Sequence, residues 1–163
     1  IIMQFYSTEN QIIVLIMERA LRTKLEFIIR FLFIVLFLYA AISKLIDYQK
    51  FYNDLLNSPI FGYSFLARFV SIIIPMLEIG ISGLLISGKY LKLGWYLVFL
   101  LMLIFSIYIG GILVFSDNLP CSCGGIISEL SWKEHLIFNV SLTLLSGLGI
   151  YLNSKNEYKN IVT

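Results

Sequence analysis

Both cysteines of this 163-residue chain lie in one short stretch, at Cys121 and Cys123. A disulfide between residues two apart closes a very small ring, departs from relaxed disulfide geometry and is easily reduced. Strained, exposed disulfides tend to be catalytic or regulatory, and so small a ring is a poor structural staple. The spacing therefore favours a thiol–disulfide exchange pair. We take Cys123 as the attacking thiol, because Gly124 and Gly125 follow it and permit close approach.

Two other interpretations of the cysteine pair remain open. The two thiolates and His135, the only histidine, could together bind a soft ion such as copper. The pair could instead be structural or inert, since Cys-x-Cys spacing alone is only moderately specific. No second cysteine pair completes a typical structural zinc site, so we assign no metal centre.

Glu78 is the one carboxylate well inside an apolar segment. It shares one helix face with three other residues, at spacings of i, i+4, i+7 and i+11: Ser71, Pro75 and Ser82. One interpretation makes Glu78 a proton carrier or a polar contact for a quinone-like ligand. The other makes it a buried structural group, protonated or paired with Arg68, Asn139 or His135.

His135 and Asn139 occupy one face of the last apolar segment, together with Thr143 and Ser146. The stretch from Ser131 to Glu134 fits a capping box, with the serine as N-cap and the glutamate at N3. That box places His135 on the first helical turn. We predict that Glu78, His135 and Asn139 bind a cofactor. The alternative for His135 is an interfacial side chain without a chemical role.

The composition is that of a membrane protein. Hydrophobic residues make up 59 % of the chain and charged residues 13 %, about half the soluble norm. A soluble domain this small exposes too much surface to hide such a composition, and the 15 % aromatic content argues against disorder. The net charge of +2 is too small for a nucleic-acid-binding surface. We expect the lipid bilayer, and not nucleic acid, as the partner.

Four apolar segments are long enough to cross a hydrocarbon core about 30 Å thick: 27–46, 69–88, 93–116 and 136–154. The first, which we treat as an uncleaved anchor, carries Arg30 and Lys44. We expect both cations to snorkel from the helix ends to the interface. Small residues such as Gly83, Gly110 and Gly149 offer sites of close helix contact. The sequence predicts an all-α polytopic membrane protein, a four-helix bundle in up-and-down order.

The basic residues predict the orientation of this bundle. With a cytoplasmic N-terminus, eight cations lie inside: Arg19, Arg22, Lys24, Arg30, Lys89, Lys92, Lys155 and Lys159. Four lie outside: Lys44, Lys50, Arg68 and Lys133. This excess of inner cations favours a protein of the bacterial inner membrane with both termini in the cytoplasm. We therefore expect a flexible or interfacial cytoplasmic tail (1–23), a membrane domain (24–154) with an outer cysteine loop (117–130), and a cytoplasmic tail (155–163). Outside the cytoplasm, disulfides persist.

Four stretches resemble the MauE family of methylamine utilisation membrane proteins, within the wider DoxX-like group of four-helix proteins. They are RFLF to AISKL (30–45), IPMLE (74–78), PCSCGG (120–125) and LSWKEHLIFN (130–139). The resemblance runs from about residue 24 to 151. Its most specific element is the Cys-x-Cys-Gly-Gly stretch with the Trp and Asn that follow it.

The resemblance implies a polytopic inner-membrane protein that supports maturation of a disulfide-rich periplasmic dehydrogenase subunit, alongside a thioredoxin-like partner. We accordingly predict a thiol–disulfide relay in which Cys121 and Cys123 are catalytic and serve periplasmic clients. A single cysteine pair cannot pass electrons through the membrane by itself. A quinone, or another thiol protein, would have to approach at the outer leaflet. The alternative is a non-enzymatic scaffold or metal-handling accessory.

Overall fold

The computed structural model describes residues 2–58, 63–115 and 131–162. These residues form five helices and no strand: α1 (Ile2–Ile46), α2 (Tyr48–Leu56), α3 (Ser64–Ser87), α4 (Leu91–Phe115) and α5 (Trp132–Val162). The prediction of an all-α fold is confirmed.

Four of the described helices are long and apolar enough to cross a membrane. The candidate spans are Ile13–Ile46, Ser64–Ser87, Leu91–Val114 and Lys133–Lys155. Only 28 % to 33 % of the most apolar part of each span is buried inside the bundle. Most apolar side chains therefore face outward, which is stable in lipid and not in water. The predicted four-span polytopic fold is confirmed.

Helix α1 continues through the predicted boundary between a tail and the first span. Residues 2–46 contain neither proline nor glycine, so nothing in the sequence breaks the helix there. An i, i+4 ion pair between Arg22 and Glu18, with a 3.2 Å N–O distance, adds support on the exposed face. Residues 2–23 thus extend the first span as helix and do not form a separate irregular segment.

The four long helices pack as a ring of neighbours, α1 on α3, α3 on α4, α4 on α5, and α5 on α1. Aromatic side chains pack in the core between α1 and α4. The side chain of Phe33 meets those of Phe37 and Trp95 edge-on, at centroid distances of 6.0 and 5.9 Å. The indole Nε1 of Trp95 donates a hydrogen bond to Oε1 of the buried Glu26, at 3.2 Å. Because Trp95 is large and fully buried, this contact fixes α4 against α1.

The expectation of close contact at glycines holds for Gly149. An added methyl group there would overlap the ring of Trp95, so α5 approaches α4 this closely only because the residue has no side chain. At Gly83 and Gly110 the expectation is wrong. Nothing lies within 4 Å of where a Cβ would stand at either position, so these glycines face open space.

Helix α2 was not predicted from the sequence. Its apolar residues Tyr48, Phe51, Tyr52 and Leu55 have helical spacing, a signal that could have found it. The hydroxyl of Tyr48 lies 3.2 Å from Oγ of Ser71, which joins α2 to α3. The short helix therefore follows α1 almost directly and covers one end of the bundle.

Candidate functional site

The end of the bundle that α2 covers holds a cavity of about 220 Å³. All five helices contribute to its walls, which are mainly apolar. The apolar part includes Leu36, Phe37, Ile74, Met102, Phe105 and Ile109. The charged and polar part includes Lys44, Glu78, His135 and Asn139. Small-molecule sites typically have this character, with apolar walls and a few convergent polar groups.

A buried ion pair forms one wall of the cavity. Nζ of Lys44 lies 2.7 Å from Oε1 of Glu78, and the glutamate is only 1 % exposed. The same ammonium group lies 3.4 Å from the carbonyl oxygen of Ala40 and 5.7 Å from the ring centre of Phe51. The other carboxylate oxygen of Glu78, Oε2, is buried and has no hydrogen-bond partner among the described residues.

The ion pair corrects two expectations from the sequence. Lys44 does not snorkel to the interface, because its ammonium group turns inward to Glu78. Glu78 pairs with this lysine and not with Arg68, Asn139 or His135. A carboxylate buried near the middle of a span is costly unless an opposite charge accompanies it, and Lys44 is the cation within reach. One acidic and one basic residue inside two neighbouring spans was the signal that could have predicted the pair.

The polar face predicted on α3 is confirmed. Ser71, Pro75, Glu78 and Ser82 are all buried. Both serines bond to their own helix, Ser71 to the carbonyl of Arg68 and Ser82 to that of Glu78, each at 2.8 Å. The hydroxyl of Ser82 is therefore satisfied within α3, and that of Ser71 by α3 and by Tyr48 of α2. Of these four residues only Glu78 lines the cavity.

The start of α5 forms the wall opposite α3. The predicted capping box is present, since Oε2 of Glu134 accepts from Ser131 N at 2.8 Å and Oγ of Ser131 accepts from Glu134 N at 3.4 Å. It fixes the first turn, which carries His135. Asn139 follows one turn later and donates Nδ2–H to the carbonyl of His135 at 3.0 Å. Both side chains line the cavity.

Thr143 links this helix face to α4. Its hydroxyl lies 2.8 Å from the carbonyl of Asn139 and 3.2 Å from Oγ of Ser106. The polar face predicted on α5 therefore turns into the bundle. The structure brings Glu78, His135 and Asn139 to one cavity, and their binding of a cofactor stays a prediction.

Cys121 and Cys123 lie outside the described residues. The segment that carries them, 116–130, joins the end of α4 to the start of α5. Ile112 and His135, close to these two helix ends, both line the cavity. Cys121 is six positions after Phe115, so the chain holds that cysteine within about 20 Å of the end of α4. The cysteine pair is thus tethered to the end of the bundle that contains the cavity.

Two of the three side chains considered as ligands of a soft metal ion, Cys121 and Cys123, lie outside the described residues. Within residues 2–58, 63–115 and 131–162, no group of three or more His, Cys, Asp or Glu side chains is placed to hold a metal ion. Binding of a metal ion by Cys121, Cys123 and His135 therefore stays an alternative interpretation.

A comparison with protein-family models matches residues 22–152 to the methylamine utilisation protein MauE. The chain belongs to the MauE family. The match covers most of the chain and agrees closely with the stretch over which the sequence resembles the family. Comparison with curated proteins gave no match, and comparison with solved structures gave none.

The region matched to MauE contains every feature of the candidate site: the Lys44–Glu78 pair, the first turns of α5 and both cysteines. This MauE protein is a multi-pass membrane protein. Its candidate site combines the Lys44–Glu78 pair with the polar first turns of α5 around one apolar cavity. A cavity of this character can hold a small lipid-soluble molecule beside charged and polar groups.

Proposed function

We propose that this MauE protein is the membrane component of a thiol–disulfide relay, with Cys121 and Cys123 as the exchanging pair. The observation that carries the proposal is the tethering of the cysteine segment to the bundle end that holds the cavity. The strain of a disulfide with one intervening residue supports the same role, because it makes the pair easy to reduce.

The exchange proceeds in two steps. A thiolate of a reduced partner attacks Sγ of Cys123 in the Cys121–Cys123 disulfide, and Cys121 leaves as a thiolate that takes up a proton. The second thiol of the partner then attacks the mixed disulfide and releases Cys123. The partner has lost two electrons and two protons and gained a disulfide, while the cysteine pair has become a dithiol. A quinone reoxidises the dithiol and becomes a quinol.

The partner that the family resemblance implies is a thioredoxin-like protein or a disulfide-rich client in the periplasm. A client in methylamine utilisation fits the family description. A soluble partner must approach the cysteine pair from outside the bilayer. The segment 116–130 suits this approach because it connects two spans. It carries only two acidic residues, Asp117 and Glu129, so it would repel an acidic partner little.

The proposed location is the bacterial inner membrane, with both termini in the cytoplasm. The ion pair changes the number of outer cations from which this orientation is inferred. With its ammonium group bonded to Glu78, Lys44 no longer counts as an outer interfacial cation. The distribution then becomes eight inner cations against three outer ones, Lys50, Arg68 and Lys133. The cysteine segment accordingly lies in the compartment where disulfides persist.

The redox state of the pair in intact cells tests the proposal. Cells are quenched with acid, their free thiols are alkylated with a reagent that adds mass, and the protein is resolved by gel shift. We expect a mixture of oxidised and reduced forms that shifts when a membrane-permeant reductant or oxidant is added. The double variant Cys121→Ser/Cys123→Ser is the control and shows no shift. A pair locked in one state under all conditions supports a scaffold and contradicts the relay.

A further inference from the structure

We propose that the cavity beside Lys44 and Glu78 is a binding site for the head group of a quinone and its quinol. The inference rests on the proposed function, for which it names the site of the electron acceptor. Binding at this site can nevertheless be measured without any thiol chemistry.

The strongest indication is the unsatisfied oxygen of Glu78. Its side chain is 99 % buried, and Oε2 has no hydrogen-bond partner in the part of the chain that the structure describes. Buried polar atoms without a partner are rare in folded proteins, and each costs free energy. Because this oxygen belongs to a cavity-lining residue, a ligand with an O–H group can satisfy it. A quinol supplies two such groups.

Lys44 supplies a hydrogen-bond donor beside the acceptor oxygen of Glu78. Its ammonium group has three N–H donors. One points to Oε1 of Glu78 at 2.7 Å, and the carbonyl of Ala40 lies at 3.4 Å. One donor therefore remains for the carbonyl oxygen of a quinone. The ion pair thus presents a donor and an acceptor side by side, which matches both the oxidised and the reduced ligand.

The rest of the cavity selects a ring over an acyl chain. A dry engineered cavity of about 150 Å³ holds benzene, so a volume of about 220 Å³ can take a substituted six-membered ring. The isoprenoid tail of a quinone would extend into the lipid. An acyl chain would also fit the apolar walls, but it would leave Glu78 Oε2 unpaired. His135 and Asn139 stand on the opposite wall, where the second oxygen of a ring would lie.

The proposed reoxidation of the cysteine pair by a bound quinone balances in electrons and protons. The dithiol of Cys121 and Cys123 loses two S–H bonds and forms one S–S bond. The quinone gains two electrons and two protons, and both of its carbonyl groups become hydroxyl groups. One new hydroxyl donates to Glu78 Oε2, so the site stabilises the product of the transfer.

Binding of a short-chain quinone tests the site directly. The redox-inactive variant Cys121→Ser/Cys123→Ser is placed in lipid nanodiscs and titrated calorimetrically with decylubiquinone, decylubiquinol and a short-chain menaquinone. We expect saturable binding of at least one quinone. Adding Glu78→Gln should weaken quinol binding at least about tenfold, the loss expected for one hydrogen bond to a charged group. Absence of saturable binding for all three probes overturns the proposal and leaves a cavity filled by water or lipid.

Two further variants separate ligand loss from misfolding. Ala40→Leu fills the cavity from α1 while both charges of the ion pair are kept, and it should abolish binding while the protein stays folded. Glu26→Gln changes a buried carboxylate outside the cavity and should leave binding unchanged. Equal loss in Glu26→Gln and Glu78→Gln would overturn the assignment of the site. If quinone binds but the cysteines never cycle, the relay fails and the binding site stands; the reverse result leaves a relay that uses another acceptor.

Discussion

The ammonium group of Lys44 on α1 lies 2.7 Å from the carboxylate of Glu78 on α3, inside the bundle. The two residues are 34 positions apart and belong to different spans. The Glu78 side chain is only 1 % exposed and the Lys44 side chain 20 % exposed, so water is largely excluded from the carboxylate. The pair fixes α1 against α3 and at the same time places two opposite charges at the edge of an apolar cavity.

Removing one partner of this pair should destabilise the protein strongly. In Lys44→Met, the carboxylate of Glu78 is left buried without its counter-charge, which typically costs about 3 to 5 kcal/mol. In Lys44→Met/Glu78→Met, both charges are gone and most of that loss should be recovered. Unfolding of the purified variants by a denaturing detergent in mixed micelles measures these free energies.

The exposed pair of Arg22 and Glu18 is the matched control. It joins the same kinds of group at 3.2 Å, but its side chains are 37 % and 55 % exposed. Arg22→Ala should therefore change the free energy of unfolding by less than about 1 kcal/mol. A loss in Lys44→Met no larger than in Arg22→Ala would show that Lys44 and Glu78 are not held together in a dry environment.

Gly149 should tolerate no side chain. In Gly149→Ala the new methyl group overlaps the buried ring of Trp95, and the overpacking should cost about 1 to 3 kcal/mol. Gly83→Ala is the control, because nothing lies within 4 Å of its Cβ position and alanine favours helix. The same unfolding assay compares them. Equal stabilities would contradict the close packing of α5 on α4.

The sequence was sufficient to predict the features that depend on local pattern. The four spans follow from apolar length, the capping box of Ser131 and Glu134 from its spacing, and the polar faces of α3 and α5 from helical periodicity. The partner of Glu78 depends on which helices are neighbours, and a lysine near a helix end suggests snorkelling when that arrangement is unknown. Helix α2 was missed because nine residues between two spans are easily taken for a loop.

The cavity could not be predicted for a related reason. Its residues come from five helices, and no single stretch of sequence carries its outline. Glu78, His135 and Asn139 were selected because polar groups inside spans are costly and tend to face the bundle interior. That rule selected these three side chains, and helix packing places them around one cavity with Lys44.

Reporter fusions test the proposed orientation. A reporter that is active only outside the cytoplasm should be active when fused after Asn118, in the cysteine-bearing segment. The same reporter fused after Lys155 should be silent, because the excess of basic residues keeps that end in the cytoplasm. Activity after Lys155 and silence after Asn118 would place the cysteines in the reducing compartment and contradict the relay.

Trapping of a mixed disulfide tests the central claim most directly. In Cys121→Ser, the thiolate of Cys123 attacks the disulfide of an oxidised soluble partner, the reverse of the last exchange step, and Cys121 is no longer there to displace the partner. The partner's own freed thiol could still reverse the step, so it is alkylated when the cells are quenched. We predict a covalent adduct on non-reducing gels that disappears on reduction. It should be much weaker in Cys123→Ser and absent from the double variant. If neither single variant traps a partner, and the double variant still supports client oxidation, the thiol–disulfide relay is contradicted.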